Sequence, residues 1–593
     1  MRNFIKIIFG SCLGVVLAVF VIGFLASIAT SSLLSKSSSK PSIESNSVLK
    51  MELSRLMPEK TNNTPISSYS LNEETYVGLQ EALDCIESAK SDRDIKGIYL
   101  PISTSSLGIA KSEAIREAIL DFKGSGKFVI AYSGDYGYHQ GGYYLASVAD
   151  DVFLHPLGVV DFRGLGAVVP FFKDMLDKVG IKMEPFYAGK FKSATEPFRR
   201  NEMSEENRQQ TKEYMDELYN DFLGDISEQR GLSIEMLKVV ANNLGGRRAE
   251  LALENRLVDG IKYEDEVMNV LREELDLDEK EEIKFVSLES YSKGRSKSRN
   301  LGAGSKVAVL YAEGEIRNGD EITGMITDDH YVKIIRKIRK DAKIDAVVLR
   351  VNSPGGDAFV SDEIWRELSL LQKDGTPVVA SMGAVAASGG YYIACGADRI
   401  FCEPNTLTGS IGVFGLVPNI EELANQKLGI HVDTVKTSKF ATGLTNPFYP
   451  IGDEERQYIQ ESINHTYEVF LNRVADGRKL TRDQVHEIAQ GRIWTGRRAL
   501  ELGLVDQLGG LEDAIASAVQ LAEISDYRLV EYPYIKDPLQ RLLEEFTGQK
   551  TAGIKRGILA QKFPQAYETI EIVEYLLSSR NPQARLPLDI PIL

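Results

Sequence analysis

The chain has 593 residues, and its 43% hydrophobic and 26% charged residues are ordinary for a globular protein. At about 150 residues per domain, this length predicts several domains or two large ones. The net charge of −16 argues against a nucleic-acid-binding protein, because no stretch of the sequence concentrates Lys and Arg.

An apolar run lies at the start of the sequence. Arg2 and Lys6 precede residues 7–29, which are almost entirely apolar. A helix of that length can cross a hydrocarbon core of about 30 Å, and the basic residues before it place the N terminus in the cytoplasm. We therefore predict a transmembrane anchor over residues 1–30, with the rest of the chain outside. Ser27-Ile28-Ala29 leaves open the alternative of a cleaved signal peptide.

The rest of the chain contains an internal repeat. Gly246-Arg247-Arg248-Ala249 returns as Gly496-Arg497-Arg498-Ala499, an offset of 250 residues (496 − 246). Gly141-Gly142-Tyr143-Tyr144 returns in the same way as Gly389-Gly390-Tyr391-Tyr392. Several such matches in the same order predict that the chain holds two related domains.

We place these domains at residues 51–300 and 301–525. A serine-rich linker, residues 31–50, precedes them, and a tail, residues 526–593, follows them. In each half, short apolar segments such as residues 346–351 alternate with amphipathic helical segments. This alternation is typical of an α/β fold with a parallel sheet.

Two glycine-rich motifs of the second half indicate chemistry. Ser388 lies among small residues before a helical run, where the N–H of Gly389 can stabilise an oxyanion at the helix N terminus. A serine in that position is also an ordinary helix N-cap. Gly355 and Gly356 follow a predicted buried strand, where they either turn N–H groups toward a ligand or form a plain turn.

A serine nucleophile requires a base. None of the six histidines lies in a recognisable catalytic context, which leaves lysine. Because lysine has an ordinary pKa of about 10.4, a basic lysine needs burial in an apolar segment. Lys192, next to Phe191 and small residues, fits this description, although a surface lysine is the ordinary alternative. Ser410 lies in a third glycine-rich motif, which forms a turn or supplies a further hydroxyl.

The repeat links the serine to the lysine. Aligning the Gly-Gly-Tyr-Tyr segments puts Gln140 opposite Ser388 (388 − 140 = 248). Aligning the Lys-Phe segments puts Ala441 opposite Lys192 (441 − 192 = 249). Each half therefore lacks the residue that the other half keeps, which predicts one composite site shared by the two halves.

These motifs resemble the long, duplicated form of the signal peptide peptidase A family, also called protease IV. The similarity covers about residues 50–525 and the N-terminal apolar run, and it lies in four ordered motifs, residues 191–198, 352–356, 387–391 and 407–412. It implies two tandem domains like those of the Clp protease and crotonase group. It also implies a membrane-anchored serine protease that needs no cofactor and no metal.

The same resemblance implies the roles of the site residues. Ser388 would be the nucleophile, Lys192 the general base and Ser410 the residue that orients the lysine. The oxyanion hole would come from the N–H groups of Gly389 and of the turn at Gly355 and Gly356, with Gly355 as the first choice in the turn.

The resemblance further implies a homotetramer. It would degrade cleaved signal peptides and other hydrophobic peptides at the bacterial inner membrane, with its catalytic domains on the periplasmic side. An acyl-CoA enzyme of the crotonase type and an inactive scaffold or chaperone are the alternatives. The cysteines show no zinc spacing, and Cys395 and Cys402 either pair or remain buried thiols.

Overall fold

A computed structural model describes residues 43–53, 57–61, 63, 77–102, 107–294, 304–322, 324–534 and 582–585. The predicted transmembrane run, residues 7–29, and most of the predicted linker and tail lie outside these residues. Among the helices that the structure does describe, none is long and apolar enough to cross a membrane.

The strands of the first half build a parallel sheet. The described residues of this half form the strands β1 (Ser47–Lys50), β2 (Ile95–Pro101), β3 (Phe128–Ser133), β4 (Gly137–Tyr138), β5 (Asp151–Leu154), β6 (Val159–Val160), β7 (Lys182–Ala188), β8 (Gly260–Ile261) and β9 (Lys284–Ser287). Six of them lie side by side in the order β8-β5-β3-β2-β1-β9, all parallel. β4 and β6 pair separately, and β7 joins a different sheet.

Helices connect these strands, as parallel pairing requires. They span Leu79–Ser91, Ile109–Lys123, Gln140–Ala146, Lys173–Val179, Glu196–Arg199, Glu205–Arg230, Ile234–Asn242, Ala249–Glu254, Glu264–Glu274 and Leu288–Gly294, with a 3-10 turn at Ser193–Thr195. The long helix Glu205–Arg230 begins at Ser204, whose hydroxyl accepts the N–H of Asn207, and it ends at Gly231 with a left-handed φ of 60°.

The second half of the chain contains a larger sheet with the same arrangement of strands, together with strands of a further sheet. Its strands are β10 (Ser305–Glu313), β11 (Glu315–Arg317), β12 (Met325–Thr327), β13 (Ile344–Ser353), β14 (Gly355–Asp357), β15 (Val378–Ala387), β16 (Arg399–Cys402), β17 (Leu407–Gly409), β18 (Val413–Asn419), β19 (Ile493–Thr495), β20 (Gln507–Leu508), β21 (Tyr527–Tyr532) and β22 (Gln583–Arg585). One path through this sheet is β20-β16-β15-β13-β10-β21, again parallel. It has the same sequence of neighbours as β8-β5-β3-β2-β1-β9, so the two halves share one topology.

The helices of the second half also follow the plan of the first. They span Asp328–Lys340, Ala358–Lys373, Gly389–Ala394, Asp453–Arg478, Arg482–Ile488, Gly496–Glu501 and Leu511–Leu521, with a π-helical turn at Leu423–Lys427. The helix Ala358–Lys373 begins at Asp357, whose carboxylate accepts the N–H groups of Phe359 and Val360. The α/β class predicted from alternating apolar and amphipathic segments is confirmed.

A third sheet connects the two halves. Its order is β12-β11-β14-β22-β18-β7. β7 comes from the first half and pairs along its whole length with β18 of the second, from Ala188 opposite Val413 to Lys182 opposite Asn419. Phe186 and Ala188 of β7 are consequently buried in the hydrophobic core of the second half. The segment that follows β7 in the sequence therefore lies against the second half of the chain.

A buried ion pair adds to this junction. Arg350 on β13 donates to a carboxylate oxygen of Glu59, from the first half, at 2.9 Å, and both side chains are more than nine-tenths buried. Removing one partner of such a pair leaves an uncompensated buried charge. The relative position of the halves is therefore fixed by polar contacts as well as by the shared sheet.

Some elements begin or end elsewhere than the sequence predicts. β1 occupies Ser47–Lys50, inside the stretch predicted as linker. β21, at Tyr527–Tyr532, lies inside the predicted tail and forms the edge of the second sheet, in the position that β9 has in the first. Cys395 and Cys402 are free and buried, as one of the two alternatives predicts.

Candidate active site

Ser388 lies at the sharp turn between β15 and the helix Gly389–Ala394. Its backbone has φ 55° and ψ −116°, a conformation that non-glycine residues rarely adopt. The N–H of Ser388 donates to the carbonyl of Gly409 at 2.8 Å, which ties this turn to the end of β17. The side chain makes no N-capping hydrogen bond, so the ordinary explanation for a serine at this position does not apply. Strained residues of this kind cluster at functional sites.

Lys192 reaches this serine from the other half of the chain. It lies just after β7, and its Nζ is 2.8 Å from Ser388 Oγ. The same nitrogen is 3.0 Å from the Ser410 carbonyl oxygen and 3.1 Å from Ser410 Oγ. The side chain of Lys192 is 1% exposed, while Ser388 and Ser410 are fully buried. The structure therefore brings together the three side chains that the sequence singled out.

The environment of Lys192 favours its neutral form. Burial lowers the pKa of Lys192 well below the ordinary lysine value, because the charged ammonium loses its hydration. A neutral amine has two N–H donors and one lone pair. The Ser410 carbonyl and hydroxyl can accept the two donors, which leaves the lone pair directed at the hydroxyl of Ser388. The three measured distances thus satisfy the uncharged lysine completely.

Ser410 is itself held in an unusual conformation. It follows β17 with a φ of 49°, and its N–H donates to the carbonyl of Arg492 at 2.7 Å. This bond fixes the loop from which both the carbonyl and the hydroxyl of Ser410 face Lys192. Ser410 therefore supplies a rigid acceptor pair for the amine.

The loop that carries Lys192 is clamped by the second half. The N–H of Phe191 donates to the carbonyl of Gln490 at 2.9 Å. Gly491, with φ +80°, packs so closely that a Cβ added to it would lie 2.6 Å from both the Cβ and the N atom of Lys192. Gln210 is 2% exposed and donates to the Phe191 carbonyl at 3.0 Å. These three contacts fix the backbone at Phe191 and Lys192.

Gly491 and Gln210 were not found by sequence reasoning. Gly491 lies between a glutamine and an arginine, and Gln210 lies in a charged helix, so neither stands in a recognisable motif. Only the approach of the two halves gives these residues a role. In the sequence alone, neither residue differs from an ordinary surface position.

The glycine-rich turn lies beside Ser388. Gly355 has φ +97° and Gly356 has φ +156°, and the N atom of Gly356 is 3.1 Å from the position of a Cβ built on Gly389. The N–H of Gly355 donates to Ser353 Oγ at 3.2 Å. The sequence nominated Gly389, Gly355 and Gly356 for the oxyanion hole. The bond to Ser353 engages the N–H of Gly355, whereas the N atom of Gly356 lies close to Gly389.

The corresponding positions of the repeat carry no such chemistry. Gln140 starts the helix Gln140–Ala146, and its side-chain oxygen accepts the N–H groups of Arg163 and Gly164 at 3.0 and 2.8 Å. Ala441 lies in an exposed loop. In the part of the chain that is described, no group of three His, Cys, Asp or Glu side chains is arranged to hold a metal ion.

The chain is similar to known peptidases over most of its length. The family model for peptidase family S49 matches residues 121–278 and 371–525. Protease 4 of Salmonella typhi is 36% identical over 81% of this chain and 78% of its own length. Protease 4 of Haemophilus influenzae is 37% identical over 74% of this chain and 72% of its own length.

Two further relatives extend the comparison. The chloroplastic serine protease SPPA of Arabidopsis thaliana is 34% identical over 80% of this chain and 70% of its own length. Among solved structures, a ClpP1 variant of Listeria monocytogenes aligns with 35% of this chain and 94% of its own, at 15% identity and a TM-score of 0.23. The sequence relatives are similar over most of both lengths, and the family model matches both halves of the repeat. The chain therefore belongs to peptidase family S49 and is a serine protease.

Proposed function

We propose that this protease cleaves peptides with Ser388 as nucleophile and Lys192 as general base. The observation that carries this proposal is the 2.8 Å contact between Ser388 Oγ and the buried Nζ of Lys192. The lowered pKa of Lys192 supports it, because a base must be unprotonated at the working pH. Family membership favours this activity over the acyl-CoA and scaffold alternatives.

The reaction follows from the positions of these groups. Ser388 Oγ attacks the peptide carbonyl while Lys192 takes its proton, and the oxyanion forms beside the N–H groups of Gly389 and Gly356. Lys192 then gives the proton to the leaving amine, and an ester joins Ser388 to the substrate. Water, deprotonated by Lys192, hydrolyses the ester and restores the serine. Ser410 holds the amine in place through both steps.

The activity test compares two variants with the wild-type enzyme. We expect Ser388→Ala and Lys192→Ala each to lower kcat/KM for a peptide substrate by at least about 10³-fold, since each removes a reacting group. Labelling with a fluorophosphonate should modify the wild-type enzyme at Ser388 and fail in Ser388→Ala. Full activity in either variant would refute the assignment.

Substrates and location are part of the same proposal. We propose that residues 7–29 anchor the protein in the bacterial inner membrane and that the catalytic domains, each of the Clp protease and crotonase type, lie on the periplasmic side. The substrates would be cleaved signal peptides and other hydrophobic peptides, and the enzyme would be a homotetramer. The length of the apolar run supports the anchor, and the shared topology of the halves supports two domains of one type. Membrane fractionation and protease accessibility in intact spheroplasts test the topology.

A further inference from the structure

A short strand from the end of the chain lies next to the catalytic turn. β22, residues Gln583–Arg585, runs antiparallel between β14 and β18. Gly355 pairs with Arg585, Gly356 with Ala584 and Asp357 with Gln583, while Phe414 of β18 pairs with Gln583. β22 thus connects two strands that flank the site, in the way that an extended peptide adds to sheet edges.

The pairing register directs one carbonyl at the glycines. The N–H of Ala358 donates to the Pro582 carbonyl at 3.2 Å. Hydrogen-bonded and non-hydrogen-bonded pairs alternate along an antiparallel ladder, so Gly356 and Ala584 form the next hydrogen-bonded pair. The N–H of Gly356 therefore faces the carbonyl oxygen of Ala584.

Two further distances place the same oxygen. It lies 2.1 Å from the position of a Cβ built on Gly355 and 3.0 Å from one built on Gly389. Only glycine leaves room for a carbonyl at such a distance. The carbonyl oxygen of Ala584 consequently lies against Gly389 and the Gly355-Gly356 turn, the groups proposed above to form the oxyanion hole.

The side chains of β22 also fit their surroundings. Ala584 is fully buried, and Gln583 is 8% exposed. Arg585 donates to Glu315 at 2.8 Å, with both side chains about five-sixths buried. A complete enclosure of the alanine methyl indicates that this position accepts a small side chain.

We propose that residues 582–585 are a substrate segment built into the chain, and that Ser388 cleaves the bond between Ala584 and Arg585. This inference rests on the proposed function. It adds the register in which a peptide binds and the side chain preferred just before the cleaved bond. Ser388 Oγ forms an ester with the Ala584 carbonyl carbon as the carbon–nitrogen bond to Arg585 breaks. Lys192 gives the leaving amine the proton that it took from Ser388. Water then frees Ala584 as a carboxylate, and until cleavage the segment excludes other peptides.

The test measures the intact mass of the purified full chain. We expect the wild-type protein to lose the residues after Ala584, while the Ser388→Ala variant keeps them. A synthetic peptide with the sequence of residues 579–588 should be cleaved at the same Ala-Arg bond. The same peptide with tryptophan in place of that alanine should be cleaved at least about 100-fold more slowly, because the enclosed position cannot hold an indole.

The outcomes separate this inference from the proposed function. A wild-type enzyme that hydrolyses a general substrate such as casein but keeps its full mass overturns the inference alone. So does cleavage of the chain at another bond, cleavage in Ser388→Ala, or equal rates for the two synthetic peptides. An enzyme that hydrolyses neither casein nor the synthetic peptides overturns the proposed function as well.

Discussion

Gly491 offers a sharp test of how the second half positions the lysine. In Gly491→Ala the new Cβ would lie 2.6 Å from the Cβ of Lys192, whereas ordinary contacts begin at 3.4 Å. Lys192 must therefore move by about 0.8 Å, the difference between these two distances. When this shift is added to the present 2.8 Å between Lys192 Nζ and Ser388 Oγ, the resulting distance exceeds the limit of a good hydrogen bond, about 3.2 Å.

We expect this displacement to lower kcat/KM about 100-fold, the cost associated with misplacing a catalytic group by roughly 1 Å. The assay is hydrolysis of a fluorogenic peptide across the pH range. The matched control is Gly443→Ala, since Gly443 has the same φ of +80° and nothing within 4 Å of an added Cβ. Both variants carry the strain of a left-handed alanine, about 1–2 kcal/mol, and only one presses on Lys192. Equal activity in the two variants would refute the reasoning.

Three other changes test the site and the junction between the halves. Ser410→Ala should lower kcat about tenfold, the cost of one lost hydrogen bond to the amine, and steady-state kinetics at saturating peptide measures it. Lys192→Met should abolish activity yet raise the thermal unfolding temperature at pH 7. The wild-type protein must release a proton from this lysine on folding, because burial lowers its pKa in the folded state. This free-energy cost of deprotonation disappears as the pH rises toward about 10.4, the pKa of lysine in the unfolded chain. The difference in thermal unfolding temperature between the two proteins should therefore shrink between pH 7 and pH 10. Arg350→Met should destabilise the fold by about 3–5 kcal/mol in urea titrations, since it leaves Glu59 buried and unpaired. Arg498→Met, which breaks a pair with Glu501 whose two side chains are 46% and 55% exposed, should shift the urea midpoint far less.

The candidate site residues could be named from the sequence because the two halves of the internal repeat can be compared with each other. Ser388 and Lys192 are each unremarkable when taken alone, and the missing counterparts at Gln140 and Ala441 connect them. In the structure the Lys192 amine lies 2.8 Å from Ser388 Oγ and 3.1 Å from Ser410 Oγ. The alternating apolar and amphipathic segments were sufficient to predict the α/β class.

Other features depend on three-dimensional contacts that no local pattern encodes. The choice between Gly355 and Gly356 depends on which way each N–H points, and the bond from Gly355 to Ser353 forms only in the folded chain. β22 has three residues, too few for any periodicity, and its pairing partners lie more than 160 residues away. Sequence reasoning treated this region as an unmatched tail for that reason.

The division of the site between the halves gives the enzyme a built-in order during synthesis. A growing chain contains Lys192 long before it contains Ser388, Ser410 or Gly491. Until the ribosome has passed residue 491 and the second half has folded against β7, the lysine has no serine to activate. A chain terminated before this point would therefore lack proteolytic activity. The duplicated architecture therefore delays assembly of the site until most of the chain has been translated.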